Sequence, residues 1–509
     1  MLARVFSGAI VGLDSVPIEV EVDIASQGLP SFTLVGLPDK AIEEAKERVR
    51  SAIRNSGADF PAKRITVNLA PADLPKEGPA YDLPIALGIL LASEQIKADL
   101  SKTLVIGELA LDGRVRGTHG ILPHVLMAKK HHFTEVVLPL ENAKEASVVD
   151  NITITPVSTL LALLRHLDGT SAIEQFPHTP FDGHSDEYPY EFDMKDIRGQ
   201  QQAKRALEIA AAGGHNILLK GPPGAGKTLL ARTLPSILPS LTFNEALEVT
   251  KIYSIAGLLN NEHIVTKRPF RSPHHTTSLV GIIGGSTNPR PGELTLAHRG
   301  ILFLDEFPEF PRNILEALRQ PIEDGTVSIA RANGKITFPT HCMLVAAHNP
   351  CPCGYLGDKS HACNCTAAHI LRYQKKLSGP ILDRIDIHLD VPAVKTDVLS
   401  QHATDAEPSH IIRKRVQAAR EKQKQRFSSL PLTNNAEMAT KHIKEFCPLS
   451  EECLSLMRLA ITSMHLSARS YYRTIKLART IADIEGSDAI TAAHIAESLQ
   501  YRPKAESQN

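Results

Sequence analysis

The stretch Gly221-Pro-Pro-Gly-Ala-Gly-Lys-Thr228 fits the phosphate-loop pattern G-x-x-x-x-G-K-T without a gap. Small residues let a backbone wrap closely around phosphates, so that its N–H groups point at the anion. Residues 216–220 predict a strand that enters the loop, and residues 228–235 predict a helix that leaves it. Lys227 would reach the β- and γ-phosphates, and the Thr228 hydroxyl would bind Mg²⁺. We therefore expect ATP to be bound by Gly221, Pro222, Pro223, Gly224, Ala225, Gly226, Lys227 and Thr228.

A second nucleotide motif follows about eighty residues later, at Ile301-Leu-Phe-Leu-Asp305-Glu306. An apolar strand with two carboxylates at its tip is the Walker B pattern, although a lone run of this kind more often marks a strand that enters solvent. Because this run follows a phosphate loop in the same chain, its interpretation as a Walker B motif is favoured. Asp305 would then bind Mg²⁺, and Glu306 would orient the water that attacks the γ-phosphate.

The length and charge of the chain limit what it can be. Its 509 residues are too many for one hydrophobic core, so several domains are expected. Lys plus Arg and Asp plus Glu both number 56, so the composition lacks the basic signature of a nucleic-acid binder. The N-terminus does not resemble a signal peptide, and the longest apolar run, residues 83–92, is too short to cross a bilayer. We expect a soluble cytoplasmic protein without a membrane partner.

Residues 1–170 form the first predicted domain. Residues 16–24 alternate apolar and polar as a half-buried strand does, and residues 40–56 show helical spacing before Gly57. The stretch Asp73-Leu-Pro-Lys-Glu-Gly-Pro-Ala-Tyr-Asp-Leu-Pro-Ile-Ala-Leu-Gly88 resembles the proteolytic domain of Lon proteases. That resemblance implies an α+β fold related to domain 2 of ribosomal protein S5.

The resemblance to Lon proteases fails where the chemistry would be. Those proteases place a nucleophilic serine directly after the Gly-Pro pair and activate it with a later lysine. Here Ala80 follows Pro79, and residues 119–124 contain no lysine. A methyl group cannot attack a carbonyl, so we expect a protease-dead domain kept for assembly or for docking a substrate.

A second resemblance is carried by residues 269–278, 289–300, 318–325, 349–354 and 378–386. These segments resemble the magnesium-chelatase group of AAA+ ATPases. The whole chain is similar to the ComM/YifB branch of that group, which carries a Lon-like domain. The resemblance implies an α/β phosphate-loop core at 191–395, with a C-terminal helical lid at 396–505. Residues 171–190, rich in Pro and polar residues, predict a linker before the core.

The same resemblance implies a homo-oligomeric ring, with a hexamer expected. Asn349, which ends a predicted buried strand, matches the polar sensor that contacts the γ-phosphate or its water; the alternative is an Asn that begins a turn. Arg384 matches the arginine finger that one subunit places on its neighbour's nucleotide. Arg469 matches sensor 2, with Arg473 as the rival. An ordinary salt bridge is the alternative for each arginine.

Two insertions in the predicted ATPase core indicate which substrate the ATPase would act on. Residues 253–290 resemble the helix-2 insert of chelatases and MCM helicases; we assign no chemistry to its histidines, His274 and His275. Residues 326–340 predict a hairpin that turns at Asn333-Gly334. In the family this hairpin points into the pore, where Arg331 and Lys335 would track DNA phosphates. The alternative is a solvated hairpin with charges at its tip.

Four cysteines, Cys351, Cys353, Cys363 and Cys365, lie within fifteen residues as two C-x-C pairs. Four thiolates in a reducing compartment suit a tetrahedral structural Zn²⁺, which would hold a loop that has no core of its own. His361 could replace one ligand, and unliganded thiols are the alternative.

Taken together, the sequence predicts a ring-forming AAA+ ATPase that uses ATP and Mg²⁺ to translocate on single-stranded or branched DNA. By resemblance it would act as a helicase that drives branch migration of recombination intermediates during natural transformation, alongside recombination proteins. One rival is a metal-insertion motor of the magnesium-chelatase kind. The other is a protein-remodelling ATPase that recruits clients through its dead protease domain. Stimulation of ATP hydrolysis by DNA would separate the three.

Overall fold

The computed structural model shows two compact units, each with its own sheet and apolar core. The first unit comprises Met1–Asp182 and Phe243–Val265, and the second comprises Gly183–Thr242 and Thr266–Asn509. In the part of the chain that is described, no helix is both long and apolar enough to cross a membrane. The described residues are 2–37, 39–181, 190–259, 262–285, 290–331, 334–358, 361–393 and 406–503.

The first unit is built on a seven-stranded mixed sheet. The strand Asp14–Ile24 buries every second side chain, which confirms the strand predicted from alternation at residues 16–24. It pairs antiparallel with both of its neighbours, and the other pairs are parallel. In order across the sheet, the strands are Ser31–Val35, Arg64–Ala70, Asp14–Ile24, Leu2–Val11, Thr103–Val105, Glu135–Pro139 and Thr153–Val157.

Helices of the first unit pack on this sheet and on one another. The predicted helix at residues 40–56 is observed as Lys40–Asn55; it begins where the Asp39 side chain accepts the N–H of Ile42. The apolar run at residues 83–92 lies in the buried helix Asp82–Ala92. A short pair, Glu108–Leu109 with Val115–Arg116, completes the strands. The α-helices of this unit are Lys40–Asn55, Asp82–Ala92, Ile121–Lys130, Ala143–Ala146, Leu160–Leu167 and Phe243–Ala256.

The segment Phe243–Val265 corrects the predicted domain boundaries. The sequence assigned it to the ATPase core at 191–395, but its side chains pack within the first unit. Leu247 joins an apolar cluster of that unit, and the Ser254 hydroxyl donates a hydrogen bond to the buried carboxylate of Glu145. The chain therefore leaves the second unit after the phosphate-loop helix and returns to it before the Walker B strand.

The predicted linker at residues 171–190 is also partly attached to the first unit. The N–H of Phe176 donates to the carbonyl of Ile154 at 2.9 Å, and the N–H of Thr179 donates to the carbonyl of Ser147 at 3.0 Å. The rest of the linker, residues 182–189, lies outside the described residues. The chain thus follows the first unit further than the composition suggested.

The second unit is built on a five-stranded sheet in which every pair is parallel. Two of the central strands, Ile301–Leu304 and Met343–His348, are buried along their whole length and are apolar except for His348, as expected when helices cover both faces of a sheet. This sheet confirms the strands predicted before the phosphate loop and at Walker B. In order, its strands are Phe270–Arg271, Ile301–Leu304, Met343–His348, Ile217–Lys220 and Ile387–Asp390.

The remaining elements of the second unit are helices and two hairpins. The predicted hairpin at residues 326–340 is observed as Thr326–Arg331 paired with Gly334–Pro339, whereas its turn residues 332–333 lie outside the described residues. A second pair joins Gly284–Gly285 to Arg290–Pro291. The α-helices are Gln201–Gly213, Lys227–Thr233, Leu279–Ile283, Glu293–Leu296, Arg312–Ala317, Arg319–Asp324, Ala367–Gln374, Gly379–Leu382, Ser409–Arg426, Thr440–Phe446, Glu451–Met464, Ala468–Glu485 and Ala492–Gln500.

Two helices after residue 406, Ser409–Arg426 and Ala468–Glu485, share the apolar core that contains the sheet of the second unit. The helices Thr440–Phe446, Glu451–Met464 and Ala492–Gln500 pack in a separate apolar cluster. The helix Ser409–Arg426 packs against Gln201–Gly213 and against Ala468–Glu485. Several of its arginines are paired inside the unit: Arg426, for instance, binds the buried carboxylate of Asp483. The described part of the region predicted as a lid at 396–505, residues 406–503, is therefore joined to the core of the sheet through two of its helices and has an apolar cluster of its own.

Candidate active site

The phosphate loop leaves the carboxyl end of the strand Ile217–Lys220, where ligands of open parallel sheets bind. Gly221 lies so close to the neighbouring chain that a Cβ there would be 2.2 Å from the carbonyl oxygen of Val391. Gly224 and Gly226 have φ of +75° and +84°, and a Cβ at either position would meet open space. The loop is thus a concave cradle of backbone, which fits the phosphates of a nucleotide.

Lys227 points into this cradle. Its amine donates to the carbonyls of Gly221 and Pro222, each at 2.8 Å, and to Oδ1 of Asn349 at 3.0 Å. Burial lowers the pKa of Lys227, and the charge of Asp305 acts in the opposite direction. Asn349 follows directly after the strand Met343–His348, so the structure brings this predicted sensor to the phosphate loop.

The two predicted Mg²⁺ ligands are in contact. The Thr228 hydroxyl donates to Oδ2 of Asp305 at 2.8 Å, and Oδ1 of Asp305 accepts the N–H of Glu306 at 2.9 Å. Hydroxyl and carboxylate oxygens are the donors that Mg²⁺ prefers, usually together with phosphate oxygens and water. These residues therefore fit a Mg²⁺ ion that accompanies ATP.

Glu306 has a partner that the sequence did not reveal. Its Oε2 lies 3.2 Å from Nδ1 of His275, a residue to which we assigned no chemistry. His275 follows the strand Phe270–Arg271, which pairs in parallel with the Walker B strand, so that both segments end at the same edge of the sheet. The available signal was only that two adjacent histidines lie in the insert at residues 253–290.

Arg384 lies at the opposite end of the sheet from the phosphate loop. It precedes the strand Ile387–Asp390, which runs parallel to Ile217–Lys220 with Ile387 opposite Ile217. Four residues of strand span about 13 Å, so these two ends of the sheet are well separated. The Arg384 guanidinium is held there by the carbonyl of Arg319 at 2.8 Å and by Glu323 at 2.6 Å. This conformation keeps Arg384 away from the phosphate loop of its own chain.

The two candidates for sensor 2 have different surroundings. Arg469 is 56% exposed and lies 3.6 Å from Glu323, the same carboxylate that binds Arg384. Arg473 is mostly buried and forms an ion pair at 2.5 Å with Asp386, a buried carboxylate. Arg473 is therefore engaged in a buried ion pair. Arg469 and Arg384, in contrast, both lie beside the partly exposed carboxylate of Glu323.

The hairpin carries one described cation near its tip. Lys335 is exposed and stands opposite Ala330 in the antiparallel register. The base of the hairpin is anchored because Val327 and Phe338 are buried. The side chain of Arg331 lies outside the described residues.

The four cysteines form one cluster, with their Sγ atoms within 4.8 Å of one another. Cys351 Sγ lies 3.4 Å from Cys353 Sγ and 3.7 Å from Cys363 Sγ. Zn²⁺ bound tetrahedrally at about 2.3 Å from each sulfur would set them about 3.8 Å apart. Backbone N–H donors, that of Tyr355 first, lower the pKa of Cys353 to about 6, whereas desolvation and the neighbouring sulfurs raise the pKa of Cys363 and of Cys365. The cluster fits a metal ion.

His361, the alternative fourth ligand, lies outside this cluster. Its ring packs against that of Tyr355, with centroids 4.9 Å apart, and its N–H donates to Asp358. The sulfur of Cys365 instead accepts the N–H of Cys353 at 3.4 Å. The donor set is therefore four sulfurs.

In the first unit, the position of a Lon-type nucleophile carries a methyl group. Ala80 lies in the short turn Pro79–Tyr81 and packs against an apolar cluster that includes Ile121 and Leu122. The surroundings of this position are hydrocarbon, so it offers neither a nucleophile nor a base.

Comparisons with known proteins agree with this architecture. Residues 193–399 match the family described as magnesium chelatase, subunit ChlI, residues 20–142 match subunit ChlI of Mg-chelatase, and residues 406–502 match the ChlI C-terminal family. More distant matches are DNA replication licensing factor mcm6 of Dictyostelium discoideum, 23% identical over 51% of this chain and 26% of that protein, and Lon protease 2 of Bacillus subtilis, 27% identical over 31% of this chain and 32% of that protein.

Two relatives are similar over nearly the full length. The chain is 44% identical to competence protein ComM of Haemophilus influenzae over 509 residues, which cover 98% of this chain and 97% of the relative. It is 44% identical to the uncharacterised protein YifB of Escherichia coli over 503 residues, with the same coverage. The chain therefore belongs to the ComM/YifB family of magnesium chelatase-like AAA+ proteins, a family that implies ATP and Mg²⁺ as cofactors.

Proposed function

We propose that this protein is a ring-forming ATPase that translocates on DNA and drives branch migration of recombination intermediates during natural transformation. The observation that carries the motor assignment is the separation of Arg384 from the phosphate loop of its own chain. An arginine finger held at that end of the sheet can serve only a nucleotide bound by a neighbour. A working site then needs two subunits, which favours a ring, with a hexamer expected.

At the site, each residue has a separate task. Lys227 and the loop N–H groups bind the phosphates, and Thr228 with Asp305 would hold Mg²⁺, which supplies charge compensation when bound. Glu306 orients the attacking water, and Asn349, already bonded to the Lys227 amine, fixes the γ-phosphate side of the site. Arg384 and Arg469 of the adjoining subunit offset the charge that develops on the phosphoryl oxygens.

DNA as the substrate is supported by the hairpin and by the names of the relatives. The exposed Lys335 near the hairpin tip would give each subunit a cation toward a central channel, together with Arg331, and such a ring of cations tracks phosphates without reading bases. One relative is named as a competence protein and another as a DNA replication licensing factor. Recombination proteins are the expected partners.

Two further assignments complete the proposal. The four cysteines hold a structural Zn²⁺, supported by the sulfur distances given above. The first unit, with Ala80 in place of a nucleophile, serves assembly or docking rather than proteolysis. A protein-remodelling ATPase remains the second candidate function, because a protease-like unit without a nucleophile is suited to recruiting a client.

The decisive experiment follows a labelled three-strand branched DNA during incubation with ATP, and ATP hydrolysis with and without that DNA. We expect strand exchange and DNA-stimulated hydrolysis in the wild type, and neither in Lys227→Ala. Lys195→Ala, at an exposed lysine of the same unit, is the matched control and should behave as the wild type. Hydrolysis that ignores DNA, without strand movement, would refute the DNA assignment and favour a protein client.

A further inference from the structure

The loop that carries the cysteine cluster, residues 351–365, begins next to the nucleotide site. Asn349 accepts a hydrogen bond from Lys227 at 3.0 Å, and Cys351 follows two residues later with its side chain fully buried. Any displacement of the cysteines therefore acts within two residues on the side chain that contacts the phosphate-binding lysine. The sequence predicted a metal that would hold a loop without a core of its own, and the structure adds that this loop begins two residues after a side chain that contacts Lys227.

The cysteine loop also contacts the phosphate loop directly. Gly354, with φ of +87°, lies against Pro223, and a Cβ at this position would be 2.5 Å from Pro223 Cδ. The N–H of Gly354 donates to the carbonyl of Cys351 at 3.0 Å, which fixes the turn between the first two cysteines. There is no room for a side chain at position 354, so the turn is in direct van der Waals contact with the phosphate loop.

Little else in the loop would hold it in this position. Cys351 and Gly354 are buried, whereas most of the other described residues between them and Cys365 are partly or fully exposed. The apolar side chains of this segment, such as Leu356, are not buried, so burial does little to offset the entropy lost when the segment is ordered. Four sulfurs around one ion would supply that ordering, because they join both ends of the loop at one point.

We propose that a divalent metal bound by Cys351, Cys353, Cys363 and Cys365 braces the phosphate loop, so that tight nucleotide binding requires the metal. The bound metal fixes the turn at Gly354 against Pro223 and thereby the position of Asn349 at Lys227. Removal of the metal frees the turn at Gly354, and the phosphate loop then loses the contact that supports it at Pro223. This inference rests on the proposed ATP site and adds metal-dependent control to it.

The test measures zinc content and the affinity of the full-length protein for a fluorescent ATP analogue, before and after chelation. We expect about one zinc per chain, an affinity at least tenfold weaker after its removal, and recovery when zinc chloride is added back. Cys353→Ser should lose both zinc and affinity, whereas Cys453→Ala, at a buried cysteine outside the cluster, should keep both.

A pair of glycine variants distinguishes an effect that acts through the contact with Pro223 from an effect of backbone strain within the loop. Gly354→Ala adds a methyl group against Pro223, whereas Gly357→Ala introduces the same backbone strain, at φ of +80°, where a Cβ would meet nothing within 4 Å. We expect both variants to keep zinc and only Gly354→Ala to lose nucleotide affinity.

Three results would overturn the proposal in distinguishable ways. Purified protein without metal would refute the metal site. Unchanged affinity after zinc removal and in Gly354→Ala would leave the metal a purely local role. A zinc-loaded wild type that binds no ATP analogue would instead refute the proposed ATPase itself.

Discussion

Nδ1 of His275 lies 3.2 Å from Oε2 of Glu306. The imidazole is itself held in place: its ring packs on that of His274, with centroids 4.1 Å apart, and it meets the ring of Phe310 edge-on at 6.4 Å. The Glu306 side chain is 60% exposed, and among the described residues no other side chain bonds to its carboxylate. His275 therefore fixes the orientation of the Glu306 carboxylate, which we propose to orient the attacking water.

Replacing His275 by Ala should lower kcat for ATP hydrolysis about tenfold, because a freely rotating carboxylate spends less time in the productive position. The KM for ATP should stay unchanged, since Glu306 acts after the nucleotide is bound. Steady-state hydrolysis at several ATP concentrations measures both quantities.

His274→Ala is the matched control, because His274 contacts the ring of His275 but not the carboxylate. It removes a ring that supports His275 but leaves the group that faces the carboxylate, so it should lose less activity than His275→Ala. His275→Gln, which can still donate a hydrogen bond, should recover part of the loss. A rise in KM without a change in kcat would contradict a positioning role.

The sequence predicted the ATP site because its residues lie in two contiguous motifs, each with a backbone conformation of its own. His275 escaped prediction because its contact with Glu306 depends on the parallel register of Phe270–Arg271 beside Ile301–Leu304, which the local sequence does not specify. The segment Phe243–Val265 was misassigned for a related reason. Its local sequence does not say against which of two cores its apolar side chains pack.

Arg384→Ala should abolish ATP hydrolysis while ATP binding is retained, because the arginine lies away from the phosphate loop of its own chain. The sharper prediction concerns mixtures. A subunit with Arg384→Ala keeps an intact phosphate loop, and a subunit with Lys227→Ala keeps an intact arginine. Mixed assemblies of these two inactive variants should regain part of the wild-type hydrolysis, because some interfaces combine the two intact halves.

The measurement is the hydrolysis rate as the two variants are titrated against each other at constant total protein. Mixing either variant with catalytically inactive Glu306→Gln gives a useful comparison. Lys227→Ala with Glu306→Gln offers no interface with a complete site and should stay inactive. Absence of any recovery with Arg384→Ala would contradict action on a neighbour's nucleotide.

Lys335→Ala should remove most of the stimulation of hydrolysis by DNA and leave the DNA-independent rate unchanged, because the hairpin lies outside the nucleotide site. Each lost phosphate contact should also reduce the slope of log affinity against log salt by about one per subunit that contacts the strand. DNA titrations at several salt concentrations give both values. Lys335→Arg, which keeps the charge, should behave as the wild type, and equal loss in that variant would contradict a phosphate contact.

Arg473 and Arg469 resemble each other in the sequence, yet the structure predicts opposite effects of their loss. Arg473 binds the buried Asp386 at 2.5 Å, so Arg473→Ala would leave a carboxylate buried without its main cation. We expect the free energy of unfolding of the second unit to fall by about 3 kcal/mol. Arg469 is exposed, and Arg469→Ala should change that free energy by less than about 1 kcal/mol while lowering ATP hydrolysis. Urea denaturation beside an activity assay distinguishes the two.

The Asp386 site should also make stability depend on pH in a defined direction. Burial opposes ionisation of Asp386, but Arg473, His215 and Lys476 outweigh it and hold the pKa of the carboxyl well below its usual value. A group whose pKa is lowered by folding stabilises the protein above its unfolded pKa, about 4, and loses that contribution as the pH falls toward the folded pKa. The difference in free energy of unfolding between wild type and Asp386→Asn should therefore be constant from about pH 6 to pH 8 and shrink below about pH 4. If the difference instead grew on acidification, folding would raise the pKa of the carboxyl rather than lower it, and the ion pair with Arg473 could not be what stabilises this end of the sheet.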